Sequence, residues 1–257
     1  MTNAPLISLQ EASKTYANGV AVLKGLNLDV NAGETLTLLG PSGCGKSTAL
    51  RLIAGLIAPT GGDIVWSNPM LRKNLGVVFQ EPTLLPWASV FDNVYLPLRL
   101  AGEKREKAEP RVRHALARVG LSDFTAALPR ELSGGMKMRC AIARALVTEP
   151  AVILMDEPFA ALDEVTRFQL NDDLLALKSE LRATIIFVTH SVYESAYLST
   201  RIIVMSKVRG AIIDEIAIDP ELTRNADFRH TDHFAEICRR ASLALRHATD
   251  ENIGTTP

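Results

Sequence analysis

TLTLLGPSGCGKSTALRLIA, residues 35–54, decides how the rest of the chain is read. Thr35–Leu39 is a short apolar run of the kind that makes a buried strand. At Gly40 it gives way to a loop with glycines at 40, 43 and 45, and from Lys46 the residues favour a helix, expected to run to Pro59 and the pair Gly61–Gly62. Gly40-Pro41-Ser42-Gly43-Cys44-Gly45-Lys46-Ser47 fits the spacing G-x-x-x-x-G-K-[ST], with a strand before it and a helix after it. Glycines let the backbone wrap so that several N–H groups converge on phosphate oxygens, and the helix N-terminus adds partial positive charge. Residues Gly40, Pro41, Ser42, Gly43, Cys44, Gly45, Lys46, Ser47 and Thr48 therefore form a candidate phosphate cradle. In it Lys46 reaches the β- and γ-phosphates and the Ser47 hydroxyl ligates Mg²⁺. Cys44 lies among the converging N–H dipoles, which favour thiolate and predict a readily alkylated thiol that nucleotide protects.

Working outward, PLISLQEASKTY and AVLKGLNLDV alternate like strands before the cradle, and DIVW and LGVVFQ are strand candidates after it. The texture changes after Gln80. Residues 81–148 hold several prolines and helical spacings, including EPRVRHALARVGL with Pro110 expected in a first helical turn, and LSGGMKMRCAIARALVTEP beginning at Ser133. Alternating strands and helices resume with AVILMDEP, EVTRFQLNDDLLALKSEL, ATIIFVTH, SVYESAYLST, RIIVMSK and AIIDEIAI. The tail from Asp219 is polar, with a helical stretch near HFAEICRRASLALRH. The fold class read from this order is α/β. It has a P-loop NTPase (RecA-like) core over 1–80 and 149–218 with N-terminal antiparallel strands, a helical subdomain insert over 81–148, and a C-terminal tail over 219–257.

Two carboxylates, Asp156 and Glu157, end the apolar run AVILM. A buried parallel strand delivers its last residues to the crevice where α/β sheets bind ligands. Phosphoryl transfer to water needs one carboxylate near the metal and another to hold the water, so Asp156 is assigned to the first role and Glu157 to the second. His190 ends the next apolar strand, within reach of a γ-phosphate. His114, His230, His233 and His247 read as solvated. Ser133, Gly134 and Gly135 in LSGGMKMR make a second candidate anion site: a capping serine, then two residues with no side chain in the way. The chain's own first cradle has no need of it.

The totals exclude other classes. The chain has 257 residues, 47% of them hydrophobic and 22% charged, with a formal net charge of −1; this balance argues against non-specific nucleic-acid binding. Three scattered cysteines make neither a disulfide framework nor a zinc spacing. The first ten residues lack a basic region followed by an apolar run, so no signal peptide is expected. No apolar run approaches the ~20 residues that span a bilayer, so a membrane role must come through a partner.

From Tyr16 to Ser206 the chain resembles the nucleotide-binding subunits of ABC transporters. The resemblance is carried by GPSGCGKST, the glutamine of VVFQ, LSGG, AVILMDEP, ALD and VTH, all in that order. It implies an ATPase whose ATP hydrolysis drives transmembrane transport, with ATP and Mg²⁺ as cofactors. It also implies a head-to-tail dimer with a second copy of itself. Ser133, Gly134 and Gly135 of each subunit would then cap the ATP held on the other subunit's phosphate loop. Carried across residue by residue, Tyr16 stacks on adenine, Gln80 approaches Mg²⁺ and the attacking water, and Asp163 lies at the dimer seam. The catalytic set is Glu157, His190, Gln80 and Lys46, and the metal set is Ser47, Gln80 and Asp156. Met136 stands where the family often has glutamine, and Ser191 where it often has aspartate; neither change removes a group the chemistry requires.

EPTLLPWASVFDNV follows Gln80 where the family forms a groove for its membrane subunits. The region Leu84–Val90 is therefore the expected contact with transmembrane permease subunits, with Trp87 as anchor. The wording EPTLLPW and GGMKMR looks most like importers of the nitrate, sulfonate and taurine type. Those work with a periplasmic or extracellular solute-binding protein, an indirect partner here. The implied location is peripheral, on the cytoplasmic face of the inner (cell) membrane. The alternative is a soluble, non-transport ABC ATPase acting on nucleic acid or ribosomes. It would need a coiled-coil insert, a zinc module, a second cassette or a basic face, and the sequence shows none of them.

Overall fold

The structure is a computed structural model and describes residues 4–181, 183–219, 222 and 224–250. The chain divides into two compact units, residues 1–73 with 183–257 and residues 74–182.

In the first unit, β1 (Ile7–Thr15) pairs antiparallel with β2 (Ala21–Val30) on one side and β4 (Gly61–Trp66) on the other. Ile7, Leu9, Ala12, Leu23, Leu26, Leu28 and Val30 turn inward, the alternation of a sheet with one buried face. The cradle strand β3 (Thr35–Leu39) is buried at every position. It lies parallel to β7 (Thr184–Thr189) and β8 (Arg201–Met205), and β9 (Ile212–Ala217) closes the edge antiparallel to β8. β7 too is buried throughout, as parallel strands covered on both faces are, and its buried polar positions are threonines.

Helix α1 (Lys46–Ala54) follows the cradle. It ends earlier than the sequence suggests. Gly55 takes φ 72° and its N–H turns back to Leu52 O at 3.0 Å, so the glycine closes the helix before Pro59 is reached. Gly61 and Gly62 belong to β4.

The tail is helical where the sequence suggests, and it also reaches the core. Helix α6 (Val192–Leu198) follows β7, and a long helix α7 (Asp232–Asp250) ends the described chain. Ala241, Ala244 and Ala248 of α7 are buried in one cluster with Leu39, Ile202, Val204, Ile216 and Ile218. The polar composition of the tail reflects the outer face of α7; its inner face is part of the core. Phe234 of α7 lies 5.5 Å, ring to ring, from Phe228 and 6.0 Å from Tyr193 of α6.

In the second unit, β5 (Leu75–Val78) and β6 (Val152–Asp156) form a parallel pair. With them lie α2 (Val90–Leu100), α3 (Arg105–Arg118), α4 (Gly134–Leu146) and α5 (Glu164–Glu180). Pro110 is the sixth residue of α3, not a first-turn residue as the sequence suggested. The helix starts five residues before it, after Lys104, and Pro110 forfeits one backbone hydrogen bond inside it. Among the described residues no helix is long and apolar enough to cross a membrane.

Candidate active site

The cradle is built as a helix entrance. Gly43 has φ 80°, and Gly45, the N-cap of α1, has φ 106°, backbone that a side chain would strain. As the cap, Gly45 has no side chain to accept from the first-turn amides of α1. A Cβ on Gly40 would sit 2.6 Å from Met205 O and 2.7 Å from Cys44 Sγ, so the loop fits only without one. Lys46 is 3% exposed, and its ammonium donates to Gly40 O at 2.8 Å and Pro41 O at 3.1 Å. The loop thus holds its own cation and the positive end of a helix in one concavity, an arrangement complementary to a polyphosphate.

Two further predicted residues join it in this unit. Tyr16 is half-buried, its hydroxyl 3.4 Å from Thr48 Oγ1, and Lys14 Nζ lies 5.6 Å from its ring centre. His190 is exposed and follows Thr189, which pairs in register with Leu39. The parallel register therefore brings His190 alongside Gly40, at the same end of the sheet as the cradle.

Cys44 does not meet its expectation. Its thiol is 1% exposed and packs toward Gly40, so ready alkylation gives way to burial.

The second unit carries the carboxylates. Val78 pairs in register with Met155, so Gln80 beyond β5 and Asp156 and Glu157 at the end of β6 emerge at one edge. Asp156 is buried and Glu157 half-buried. Glu157 has φ 47°, a left-handed backbone that non-glycine residues adopt only where the surroundings hold them there, often at functional sites. Its carbonyl accepts from Ala160 N at 3.2 Å, and buried Phe159 anchors the turn.

The serine–glycine cradle stands at the start of α4. Ser133 is the N-cap, its Oγ accepting from Met136 N at 3.3 Å. Gly135 is pressed against α5: a Cβ there would lie 2.6 Å from Thr166 Cγ2. Asp163 caps α5, accepting from Thr166 N at 2.9 Å and Thr166 Oγ1 at 2.7 Å, and these bonds hold its carboxyl below the usual carboxylate range. Ser133, Gly135, Asp163 and Thr166 thus form one corner. Thr166 escaped the sequence reading, although D-x-x-T after ALD is an N-cap pattern.

The segment after Gln80 is stitched down at two places. Arg144 of α4 donates to Pro82 O and Thr83 O, both at 2.8 Å, and to Thr83 Oγ1 at 2.9 Å. Asn93, fully buried, accepts from Leu85 N at 2.7 Å and donates to Leu85 O, Ala88 O and Ser89 O. Between these ties Trp87 stands 76% exposed. Val90 does not belong to that surface. It is fully buried as the first residue of α2, so the exposed apolar part of Leu84–Val90 ends before it.

Residues 23–160, more than half of the chain, match the family described as ABC transporter. An ATP-binding protein of Brucella abortus biovar 1 is 45% identical over 246 residues, 95% of this chain and 94% of that one. The taurine import ATP-binding protein TauB of Rhizobium johnstonii is 38% identical over 244 residues, 92% of this chain and 93% of its own length. Among solved structures, a dimeric post-hydrolysis state of the ATP-binding cassette MJ0796, bound to ADP and Pi, matches at a TM-score of 0.73 and 32% identity, over 83% of this chain and 99% of that one. A glycine-capped polyphosphate loop, a serine-capped second cradle and a strand-end carboxylate pair, in this order and with these relatives, place the chain in the ABC transporter family as one of its ATP-hydrolysing cassettes.

Proposed function

We propose that this chain powers an importer of a small solute of the nitrate, sulfonate or taurine type by closing and opening as a head-to-tail dimer around ATP. The observation that carries the reading is the cradle at Gly40–Thr48, with Lys46 already inside it. The likeness to a taurine import protein supports the solute class.

In this reading residues 81–148 form a helical signature subdomain inserted into a core of 1–80 and 149–218, and 219–257 is the tail. The loop amides and Lys46 bind the β- and γ-phosphates, and Tyr16 stacks on adenine. Ser47, Gln80 and Asp156 offer hard oxygen donors, the ligand class Mg²⁺ takes, and the ion bound there would neutralise charge on the phosphate oxygens. Glu157 polarises the attacking water and takes its proton. His190 donates toward the γ-phosphate. Ser133, Gly134 and Gly135 present the start of α4 to the partner's nucleotide, with Asp163 at the seam, and each dimer holds two nucleotides. Trp87 supports a docking contact for transmembrane permease subunits, because a large exposed aromatic on a braced segment suits an interface anchor. A solute-binding protein on the far side of the membrane takes part only through them. The cassette then sits peripherally on the cytoplasmic face.

Replacing Glu157 by glutamine tests the core of this reading. Turnover is expected to fall by ~10²–10⁴ with nucleotide binding intact. Sedimentation of that variant with Mg-ATP is expected to show a dimer; near-normal hydrolysis, or a strict monomer beside its membrane partners, would overturn the reading.

A further inference from the structure

The two neighbours of His190 are both tied to one buried residue, Glu194. Glu194, in the first turn of α6, is 5% exposed. Thr189 Oγ1 donates to Glu194 Oε2 at 2.5 Å, and the same hydroxyl oxygen accepts from Ser191 N at 3.0 Å. Ser191 is the N-cap of α6, its Oγ accepting from Glu194 N at 3.3 Å. In an ordinary S-x-x-E capping box the glutamate accepts directly from the cap residue's own amide. Here a threonine hydroxyl from the preceding strand stands between them. Thr189, Ser191 and Glu194 therefore close a ring around the backbone of His190, before it and after it.

Buried hydrogen bonds, shielded from competing water, hold their geometry, so this ring is a stiff frame. Thr189 is also fixed by its register with Leu39, the residue before the cradle. The exposed imidazole is thus carried on a backbone anchored to the cradle strand on one side and to α6 on the other.

We propose that Glu194, acting through the Thr189 hydroxyl, is a positioning residue for His190: it sets the backbone from which the imidazole reaches the γ-phosphate. The proposal builds on the reading of His190 given above. Ser191 supplies the cap here, so the ring closes without the aspartate often found at this position.

The test is steady-state ATP hydrolysis in the full-length protein. Thr189→Val keeps shape and removes the hydroxyl; Thr189→Ser restores it; Glu194→Gln keeps size and turns the carboxyl into an amide. Thr189→Val is expected to lower kcat roughly ten-fold or more, with KM for ATP within about two-fold of the parent. Thr189→Ser should recover most of the loss and Glu194→Gln should fall between. In a His190→Ala background Thr189→Val is expected to cause no further loss, because the group it positions is gone. Equal losses in both backgrounds, or a raised KM at unchanged kcat, would overturn the positioning role while leaving His190 in place. Full kcat in His190→Ala alone would overturn the reading of His190 and the proposal with it. If Thr189→Val does not fold, Glu194→Gln in the two backgrounds gives the same decision.

Discussion

Gly135 shows what a single missing methyl does. The sequence presents it as a residue bare for an anion, which explains Gly134 and Gly135 alike. The structure adds a second reason for Gly135: the start of α4 lies so close to α5 that Thr166 Cγ2 occupies the place of a Cβ. Thr166 is not free to turn away, because its hydroxyl bonds to Asp163. Gly135→Ala is therefore expected to cost about 1–3 kcal/mol, the usual range for overpacking, read by urea denaturation. Adding Thr166→Ser removes the offending methyl, keeps the hydroxyl and should return most of that stability. If the double variant is as unstable as the single one, the clash is not the cause. Glu157 and Cys44 make the same point. Their identities were legible, but a left-handed φ and a thiol turned toward its own loop are backbone and packing outcomes that residue identity does not announce.

Elements were read best where the signal is local. β3 and β7 announce themselves as apolar runs, and α4 by its serine cap, because burial on both faces and capping leave direct marks in composition. Boundaries set by one glycine were harder. Gly55 sits within a helical pattern and is tolerated there on propensity alone, and only its left-handed conformation ends α1. The brace on the segment after Gln80 was invisible, because an asparagine in FDNV looks like any polar residue near a helix start. Buried Asn93 serves Leu85, Ala88 and Ser89 at once. Asn93→Ala is expected to cost about 3 kcal/mol or more, since it strands several backbone groups. It should also make residues 84–89 the first site of limited proteolysis. Wild-type resistance there would show that Arg144 alone holds the segment.

At the scale of the whole molecule, the order of motifs was enough to identify the α/β architecture, and the helix of the tail was legible while its buried face was not. A helix with charges on one face and alanines on the other has a polar average, and the average hides the buried stripe. α7 reaches the core because Ala241, Ala244 and Ala248 are small enough to let it lie close to β8 and β9. Ala241→Asp is expected to cost more than about 3 kcal/mol by burying an uncompensated carboxylate, whereas Leu243→Asp, on the exposed face of the same helix, should stay within roughly 0.5 kcal/mol. Thermal melts of the two variants side by side decide it; equal melting points would place α7 outside the core. Leu39 belongs to the same cluster as those alanines and immediately precedes Gly40. Anyone trimming this chain for crystallisation or fusing a reporter behind it should therefore keep everything through Ala248. A truncation that looks cosmetic at the carboxyl end would pull the floor from under the strand that feeds the nucleotide loop.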